Sequence, residues 1–142
     1  MHTRGVVAMA GTFGYELNPG ALTKDKKEEI KDQIACFKKN EALISRGDYY
    51  RLSNPFKDEY AAWMFVSENA DEVLLSVVML KMNGNMTVNY VKLKGLAADA
   101  LYKDEETGRC YYGSALMEAG LPMPAELVEY PAYQFRFVRC QE

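Results

Sequence analysis

The sequence predicts a mainly β protein, an antiparallel β-sandwich of Greek-key type preceded by one strand and one long α-helix. Two observations support this. From residue 48 onward, short apolar segments alternate with turn residues, as in an antiparallel sandwich. Before residue 48, the segment 24–46 carries apolar residues at helical spacing. The chain is therefore divided into a first part, residues 1–47, and a β domain, residues 48–142.

The first predicted strand lies in residues 5–17, GVVAMAGTFGYEL, which are apolar and interrupted by glycines. Continuous apolar runs of this kind are typical of buried strands in parallel sheets covered on both faces. The segment Asn18-Pro19-Gly20 then predicts a turn. A buried strand followed by a long amphipathic helix is typical of the last βα unit of an α/β structure.

The long helix is predicted from Lys24 to Arg46. Thr23 is a suitable N-cap because its hydroxyl can accept a hydrogen bond from a backbone N–H of the first turn. Gly47 is predicted to end the helix in the left-handed conformation. One stripe of the helix follows i, i+4 and i+7 spacing and is expected to face a core. Its residues are Ile30, Ile34, Phe37, Glu41 and Ile44.

The β domain is predicted from apolar segments and the turns between them. Segments 61–67 and 72–82 are expected to form a hairpin around residues 68–71. Asn83-Gly84 favours a type I′ turn into a return strand at 86–94. A strand is also predicted at 49–52, and a hairpin is predicted from 101–104 with 109–112. A helical turn at 115–119, capped by Ser114 and stopped by Gly120, precedes an extended segment at 121–124. The last predicted strand is 132–140, with Tyr133, Phe135 and Phe137 on one face.

Charge and rare residues restrict the classes of function. The formal net charge is −3, whereas nucleic-acid-binding proteins normally carry a basic surplus, so no nucleic-acid partner is expected. The single histidine is His2 and the three cysteines lack CxxC spacing, which argues against metal sites and histidine-based triads. We expect no metal and no cofactor. Without a signal peptide or an apolar stretch of roughly 18 residues, we expect a cytoplasmic protein with no membrane partner.

No arrangement of residues predicts a catalytic site. The acidic segments 58–59 and 104–106 lie in predicted turns, where carboxylates are solvated. Ser114 lacks the GxSxG pattern, and Cys36 is predicted to pack with its helical neighbours. Glu16 ends the first predicted strand, a position that catalytic groups occupy in barrels, and is only a weak candidate. We therefore assign no catalytic residue.

Aromatic residues raise an alternative function, because sugar rings often stack on tryptophan or tyrosine faces. The weak sugar-contact candidates are Trp63, Tyr49 and Tyr50. Trp63 lies inside an apolar segment, so a core position is favoured over a ligand platform. The alternative is a free-standing carbohydrate-binding or protein-interaction β-sandwich module, which requires these side chains to be exposed.

Seven short strings, in one order along the chain, resemble the C-terminal region of bacterial α-galactosidases of glycoside hydrolase family 36. The strings are TRG at 3–5, GTFGYEL at 11–17, GDYYRL at 47–52, AWMFVS at 62–67, LKGL at 93–96, YGSALM at 112–117 and GLP at 120–122. Each string is weak by itself, but their shared order makes the resemblance specific.

The resemblance implies a larger parent enzyme with a β-supersandwich, a central (β/α)8 barrel and a C-terminal β-sandwich. Residues 1–47 would then be like the last barrel strand and helix, and residues 48–142 like the C-terminal domain. The family hydrolyses terminal α-galactosides of the melibiose or raffinose type with retention, using two aspartates. Both lie upstream of the matched region, one in a Lys-x-Asp motif and the other in a later loop. The chain is therefore expected to be inactive alone and to stabilise the barrel.

The resemblance also implies partners for this chain. The catalytic barrel of the parent is the expected partner of both the first strand and the helix. Without it, the apolar residues 6–9 and the apolar stripe of the helix would be exposed, and exposed patches of this size favour self-association. A homodimer through these helix and strand faces is therefore also expected.

Overall fold

The structure is a computed structural model that describes residues 2–54, 56–81, 88–125 and 128–141. These ranges contain three α-helices, a short 3₁₀ turn and eight strands. The helices are α1 (His2–Ala8), α2 (Lys24–Arg46) and α3 (Gly113–Glu118), and the 3₁₀ turn is Pro19–Ala21. The strands are β1 (Asp48–Arg51), β2 (Tyr60–Val66), β3 (Glu72–Met79), β4 (Tyr90–Val91), β5 (Leu101–Asp104), β6 (Cys110–Tyr112), β7 (Leu121–Pro122) and β8 (Ala132–Arg139).

Six strands form one antiparallel sheet in the order β1-β2-β3-β8-β5-β6. A second, two-stranded sheet pairs β4 with β7. The last strand, β8, lies between β3 and β5 and so joins the hairpin β2-β3 to the hairpin β5-β6. The prediction of a mainly β, antiparallel fold with a long preceding helix is confirmed.

The six-stranded sheet separates two apolar cores. Successive residues of a strand point to opposite faces, so the largely buried strands β2 and β3 contribute to both cores. On one face, Met64 and Leu75 pack against β4, β7 and α3. On the other face, α1 and α2 cover the sheet. The core on that face contains Val6, Leu43, Trp63, Phe65, Leu74, Val78 and Ala132.

The N-terminal segment differs from the prediction. A buried strand was predicted in residues 5–17, but the structure has helix α1 followed by irregular backbone. Val6 and Met9 are each 4% exposed while Val7 is 50% exposed, and this i, i+3 spacing of buried positions belongs to a helix. The strand prediction was wrong because a short apolar run fits either structure, and here the tertiary contacts of α1 with β3 and β8 decide.

Helix α2 has the predicted bounds, and its N-cap is confirmed because Thr23 Oγ1 accepts a hydrogen bond from the Lys26 N–H at 3.4 Å. The predicted end of the helix was wrong. Gly47 has a φ of −72° and is extended rather than left-handed. A Cβ at Gly47 would lie 2.5 Å from the Leu43 carbonyl oxygen and 2.8 Å from that of Val66. Close backbone approach, not positive φ, therefore requires glycine.

The face of α2 that packs on the sheet also differs from the prediction. The buried residues of the helix are Gln33, Asn40 and Leu43. In the predicted stripe, Ile34 is 36% exposed and Phe37 is only partly buried, whereas Ile44 packs against the core as predicted. At 3.6 residues per turn, the observed and predicted faces are about a quarter of a turn apart. The sheet beneath α2 carries polar side chains, which polar helix residues satisfy.

The β domain follows the predicted hairpins. Segments 61–67 and 72–82 correspond to β2-β3, and 101–104 with 109–112 corresponds to β5-β6. The turn predicted at Asn83-Gly84 lies outside the described residues. Within 88–94 only Tyr90–Val91 is a strand, and it pairs with β7 rather than returning along β3. Helix α3 is capped at Tyr112 without a side-chain hydrogen bond, so the predicted Ser114 cap was wrong.

The longest helix of the described ranges is α2, which is rich in lysine and glutamate. No helix in those ranges is both long enough and apolar enough to span a membrane.

Candidate functional site in the polar seam between α2 and the sheet

The three sugar-contact candidates do not form one surface. Trp63 is 9% exposed and lies beneath the helices, with an Nε1 that is buried and has no hydrogen-bond partner among the described residues. Tyr49 is exposed at the edge of the same face and packs edge-on against Phe65, with ring centroids 5.4 Å apart. Tyr50 lies on the opposite face, against Gly95. The burial of Trp63 does not support the alternative of a binding module, and sugar contact by these residues stays a prediction.

The acidic candidates also lie apart from one another. Glu16 is exposed in the irregular segment after α1. Asp104 was expected in a solvated turn but is buried, because its carboxylate accepts hydrogen bonds from the Glu106 N–H at 3.1 Å and the Thr107 hydroxyl at 2.5 Å. This carboxylate therefore organises the turn between β5 and β6.

A connected set of polar side chains lies between α2 and the sheet, and we call it the polar seam. Helix α2 contributes three of its members, and strands β3 and β8 and the turn after β5 contribute the others. The members are Cys36, Lys39, Asn40, Glu72, Ser76, Glu105, Gln134 and Arg136.

Arg136 is the centre of the polar seam. Its side chain is 16% exposed and donates to three elements. Nε donates to Asn40 Oδ1 on α2 at 3.0 Å, Nη1 to Glu105 Oε1 at 2.8 Å, and Nη2 to Glu72 Oε2 on β3 at 2.9 Å. A guanidinium presents its donors in a fixed planar fork, so these bonds together define one geometry between helix and sheet.

The outer edge of the polar seam adds a second cation. Lys39 Nζ on α2 lies 2.6 Å from Glu105 Oε2. The hydrogen bond from Lys39, together with the nearby charge of Arg136, lowers the pKa of Glu105 below its usual value. Glu105 therefore stays ionised and holds both cations, one from the helix and one from the sheet.

The inner part of the polar seam is uncharged. The Cys36 thiol donates to Gln134 Oε1 at 3.2 Å, and Gln134 Nε2 donates to Ser76 Oγ at 3.2 Å. Asn40 Nδ2 donates to the Cys36 carbonyl oxygen at 2.9 Å. Burial raises the pKa of the Cys36 thiol, so this sulfur is a protonated donor and a poor nucleophile.

The polar seam is arranged to hold two elements together, since its carboxylates are paired with cations and its thiol is protonated. Among the residues that the structure describes, no group of three or more His, Cys, Asp or Glu is placed to hold a metal ion. Arg136 and Asn40 were not among the residues predicted from the sequence. One signal was present, because Gln134 and Arg136 alternate with the aromatic residues of the last strand and mark a polar face.

Comparison with known proteins identifies the family. A model described as the glycosyl hydrolase family 36 C-terminal domain matches residues 60–137, more than half of the chain. The chain belongs to glycosyl hydrolase family 36. A second model, described as melibiase, matches residues 1–47 of this family 36 chain.

Relatives of the family 36 chain are similar over nearly its whole length. The bifunctional α-galactosidase/sucrose kinase AgaSK of Mediterraneibacter gnavus is 55% identical over 141 residues, covering 99% of this chain and 15% of the relative. The α-galactosidase AgaA of Geobacillus stearothermophilus is 37% identical over 142 residues, covering 100% of this chain and 19% of the relative.

Solved structures agree with these similarities. The galactosidase domain of AgaSK superimposes with a TM-score of 0.96 at 55% identity, covering 98% of this chain and 19% of that one. The crystal structure of AgaA superimposes with a TM-score of 0.93 at 37% identity, covering 98% of this chain and 19% of that one. The family 36 chain thus spans less than a fifth of the length of these relatives.

Proposed function

We propose that this family 36 chain is the C-terminal part of an α-galactosidase and takes no direct part in bond cleavage. Support comes from the relatives named as α-galactosidases, of which the chain matches only 15% to 19%. The activity proposed for the whole protein is retaining hydrolysis of terminal α-galactosides, as in melibiose or raffinose. Retaining glycosidases need two carboxyl groups about 5 Å apart across the bond that breaks, and we assign these to the rest of the protein.

The proposed role of the chain is to hold the last helix of the catalytic barrel on a β domain. In this proposal residues 1–47 belong to the barrel and residues 48–142 form the β domain that stabilises it. The main support for this proposal is that the two faces of α2 point in different directions, one towards the sheet and one towards solvent. Its polar face binds the sheet through Asn40 and Lys39, whereas Ile34 on its apolar side is exposed.

The partner in this proposal is the catalytic region of the same enzyme. It would cover apolar side chains that are exposed in this chain, including Val7 on α1, Leu17 in the irregular segment and Ile34 on α2. The proposal keeps the predicted cytoplasmic location, a reducing compartment in which Cys36, Cys110 and Cys140 would stay thiols.

Hydrolysis of an aryl α-galactoside tests the non-catalytic role. We expect the chain alone to give no turnover above a heat-denatured sample. Turnover that disappears in Glu16→Gln would overturn the proposal, because that carboxylate is the one acidic candidate retained from the sequence.

The coding sequence upstream of this chain tests whether the chain is the C-terminal part of a larger α-galactosidase. We expect an open frame that encodes a Lys-x-Asp motif and the rest of a (β/α)8 barrel. A stop codon directly upstream, together with measurable galactoside binding in titration calorimetry, would instead favour a free-standing binding module.

A further inference from the structure

We infer that the polar seam sets the rotational position of α2 on the sheet, with Arg136 and Asn40 as the positioning pair. Helix α2 has two faces that compete for the sheet. One combines the polar Gln33 and Asn40 with Leu43, and the other is the apolar stripe that includes Ile34 and Phe37. These faces lie about a quarter of a turn apart.

Apolar burial does not by itself select the observed orientation. That orientation buries Leu43 and packs Ile44 against the core. Turning α2 by a quarter of a turn would instead move Ile34 towards the sheet and remove its apolar surface from water. The observed orientation also buries Asn40 to 3% exposure, so a requirement other than apolar area acts on the helix as well.

That requirement is the pairing of buried polar groups. In the rotated orientation Asn40 Oδ1 would leave Arg136 Nε, and a largely buried guanidinium would lose an acceptor. A buried polar or charged group that loses its partner is costly, because the partner no longer replaces the lost hydration. Buried polar pairs can fix one arrangement among several of similar apolar burial, as an asparagine does in a coiled coil.

The contact between α2 and the sheet is only partly filled by apolar packing. Leu43 lies in the core beneath the helix. Two grooves open to solvent, of about 240 and 270 Å³, lie beside this contact, and both are lined by Cys36 and Gln134. Where these grooves interrupt the packing, the directional bonds of Arg136 add a specific constraint on the helix.

The orientation has a consequence for Ile34 in the apolar stripe, which is kept on the outer side of α2. In the proposed function this is the side that meets the catalytic region, and only this consequence rests on that proposal. The rotational position itself concerns the chain alone.

Thiol alkylation reports the orientation directly. In a Cys110→Ser/Cys140→Ser background, Cys36 is the only thiol, and it lies on the sheet side of α2. A quarter-turn towards the apolar stripe would move Cys36 into solvent. We expect the apolar pair Asn40→Leu/Arg136→Met to raise the alkylation rate of Cys36 by roughly tenfold or more while cooperative unfolding is retained.

A second thiol distinguishes rotation from local unfolding. In a background without the three native cysteines, Ile34→Cys places a thiol on the opposite side, and the same apolar pair should slow its alkylation. The matched control is Lys38→Leu on the solvent side of α2, which should leave both rates unchanged.

Three results would overturn the inference. The first is an unchanged alkylation rate of Cys36 in a folded variant. The second is faster alkylation of both thiols, at positions 36 and 34. The third is a change in the two alkylation rates in the Lys38→Leu control that equals the change in the apolar pair. If the apolar pair does not fold, Arg136→Lys replaces it, because it keeps the charge and loses the planar fork. Arg136→Lys should raise the alkylation rate of Cys36 and lower that of the thiol at position 34, each by a smaller factor than the apolar pair. Unchanged alkylation rates would again overturn the inference. These rates do not involve galactoside hydrolysis, so failure here is distinguishable from failure of the proposed function.

Discussion

The hydroxyl of Tyr102 donates a hydrogen bond to the carbonyl oxygen of Ala70 at 2.8 Å. The same hydroxyl accepts one from the backbone N–H of Ala97 at 3.0 Å. Tyr102 is fully buried in β5, and Ala70 lies in the turn between β2 and β3 with a φ of +56°. One buried side chain thus connects β5, the segment before it and a turn on the far side of β8.

Tyr102→Phe is expected to lower the free energy of unfolding by about 1–3 kcal/mol, because it leaves a backbone carbonyl and an N–H without their partner. Urea denaturation followed by circular dichroism measures this change. The control is Tyr112→Phe, since Tyr112 is exposed and its change should stay within about 0.5 kcal/mol. Equal effects of the two substitutions would contradict a structural role for the Tyr102 hydroxyl.

Two glycines are expected to resist replacement because backbone atoms occupy the space of a side chain. A Cβ at Gly113 would lie 2.0 Å from the Ala97 carbonyl oxygen, and one at Gly47 would lie 2.5 Å from that of Leu43. Gly113→Ala and Gly47→Ala should each destabilise the chain by about 1–3 kcal/mol or more in urea denaturation. Gly11→Ala is the control, since nothing lies within 4 Å of its Cβ position, and a comparable loss there would contradict the steric argument.

The elements that sequence predicts well here are those with local signals. Helix α2 has a capping threonine and acidic residues near its start, and the hairpins β2-β3 and β5-β6 have turn residues between apolar segments. Each signal acts within a few residues of the element that it defines. Bounds and pairing therefore follow without knowledge of the rest of the chain.

The elements that sequence does not predict depend on distant partners. Residues 5–9 are apolar enough for a strand or a helix, and contacts with β3 and β8 decide between them. The sequence predicts Gly47 as a left-handed cap, but glycine is required there because a Cβ would lie too close to the Val66 carbonyl oxygen. The buried face of α2 includes Asn40, whose partner Arg136 is 96 residues away along the chain. No local pattern encodes a contact of that separation.

The pH dependence of stability is expected to show the contribution of Glu105. Its pKa is lowered by the hydrogen bond from Lys39 and by the charge of Arg136. A carboxyl group with a lowered folded-state pKa stabilises the fold above its unfolded-state value of about 4.3. That contribution is lost as the pH falls below this value and through the folded-state pKa. Partial exposure of Glu105 screens the effect and keeps it modest.

Unfolding of the wild type and of Glu105→Gln, measured from neutral pH down to about pH 3, tests this dependence. The stability difference between them should be constant near neutral pH and shrink as the pH falls below about 4.3. Glu118→Gln, at an exposed position on α3, should show no such change. A difference for Glu105→Gln that persists or grows at low pH would contradict the assigned ion pairs.

Self-association of the chain is the last expectation, and it follows from the apolar side chains that α1 and α2 leave exposed. Val7 and Ile34 are both exposed to solvent. Contiguous apolar surface tends to associate in water, so the average mass in light scattering should rise above 16.1 kDa with increasing concentration. The pair Val7→Lys/Ile34→Lys should reduce this rise, because association would then bury two unpaired charges. Val88→Lys, at an exposed position just before β4, is the matched control and should leave the rise unchanged. A constant monomer mass at every concentration, or equal effects of the pair and the control, would show that these two side chains do not drive association.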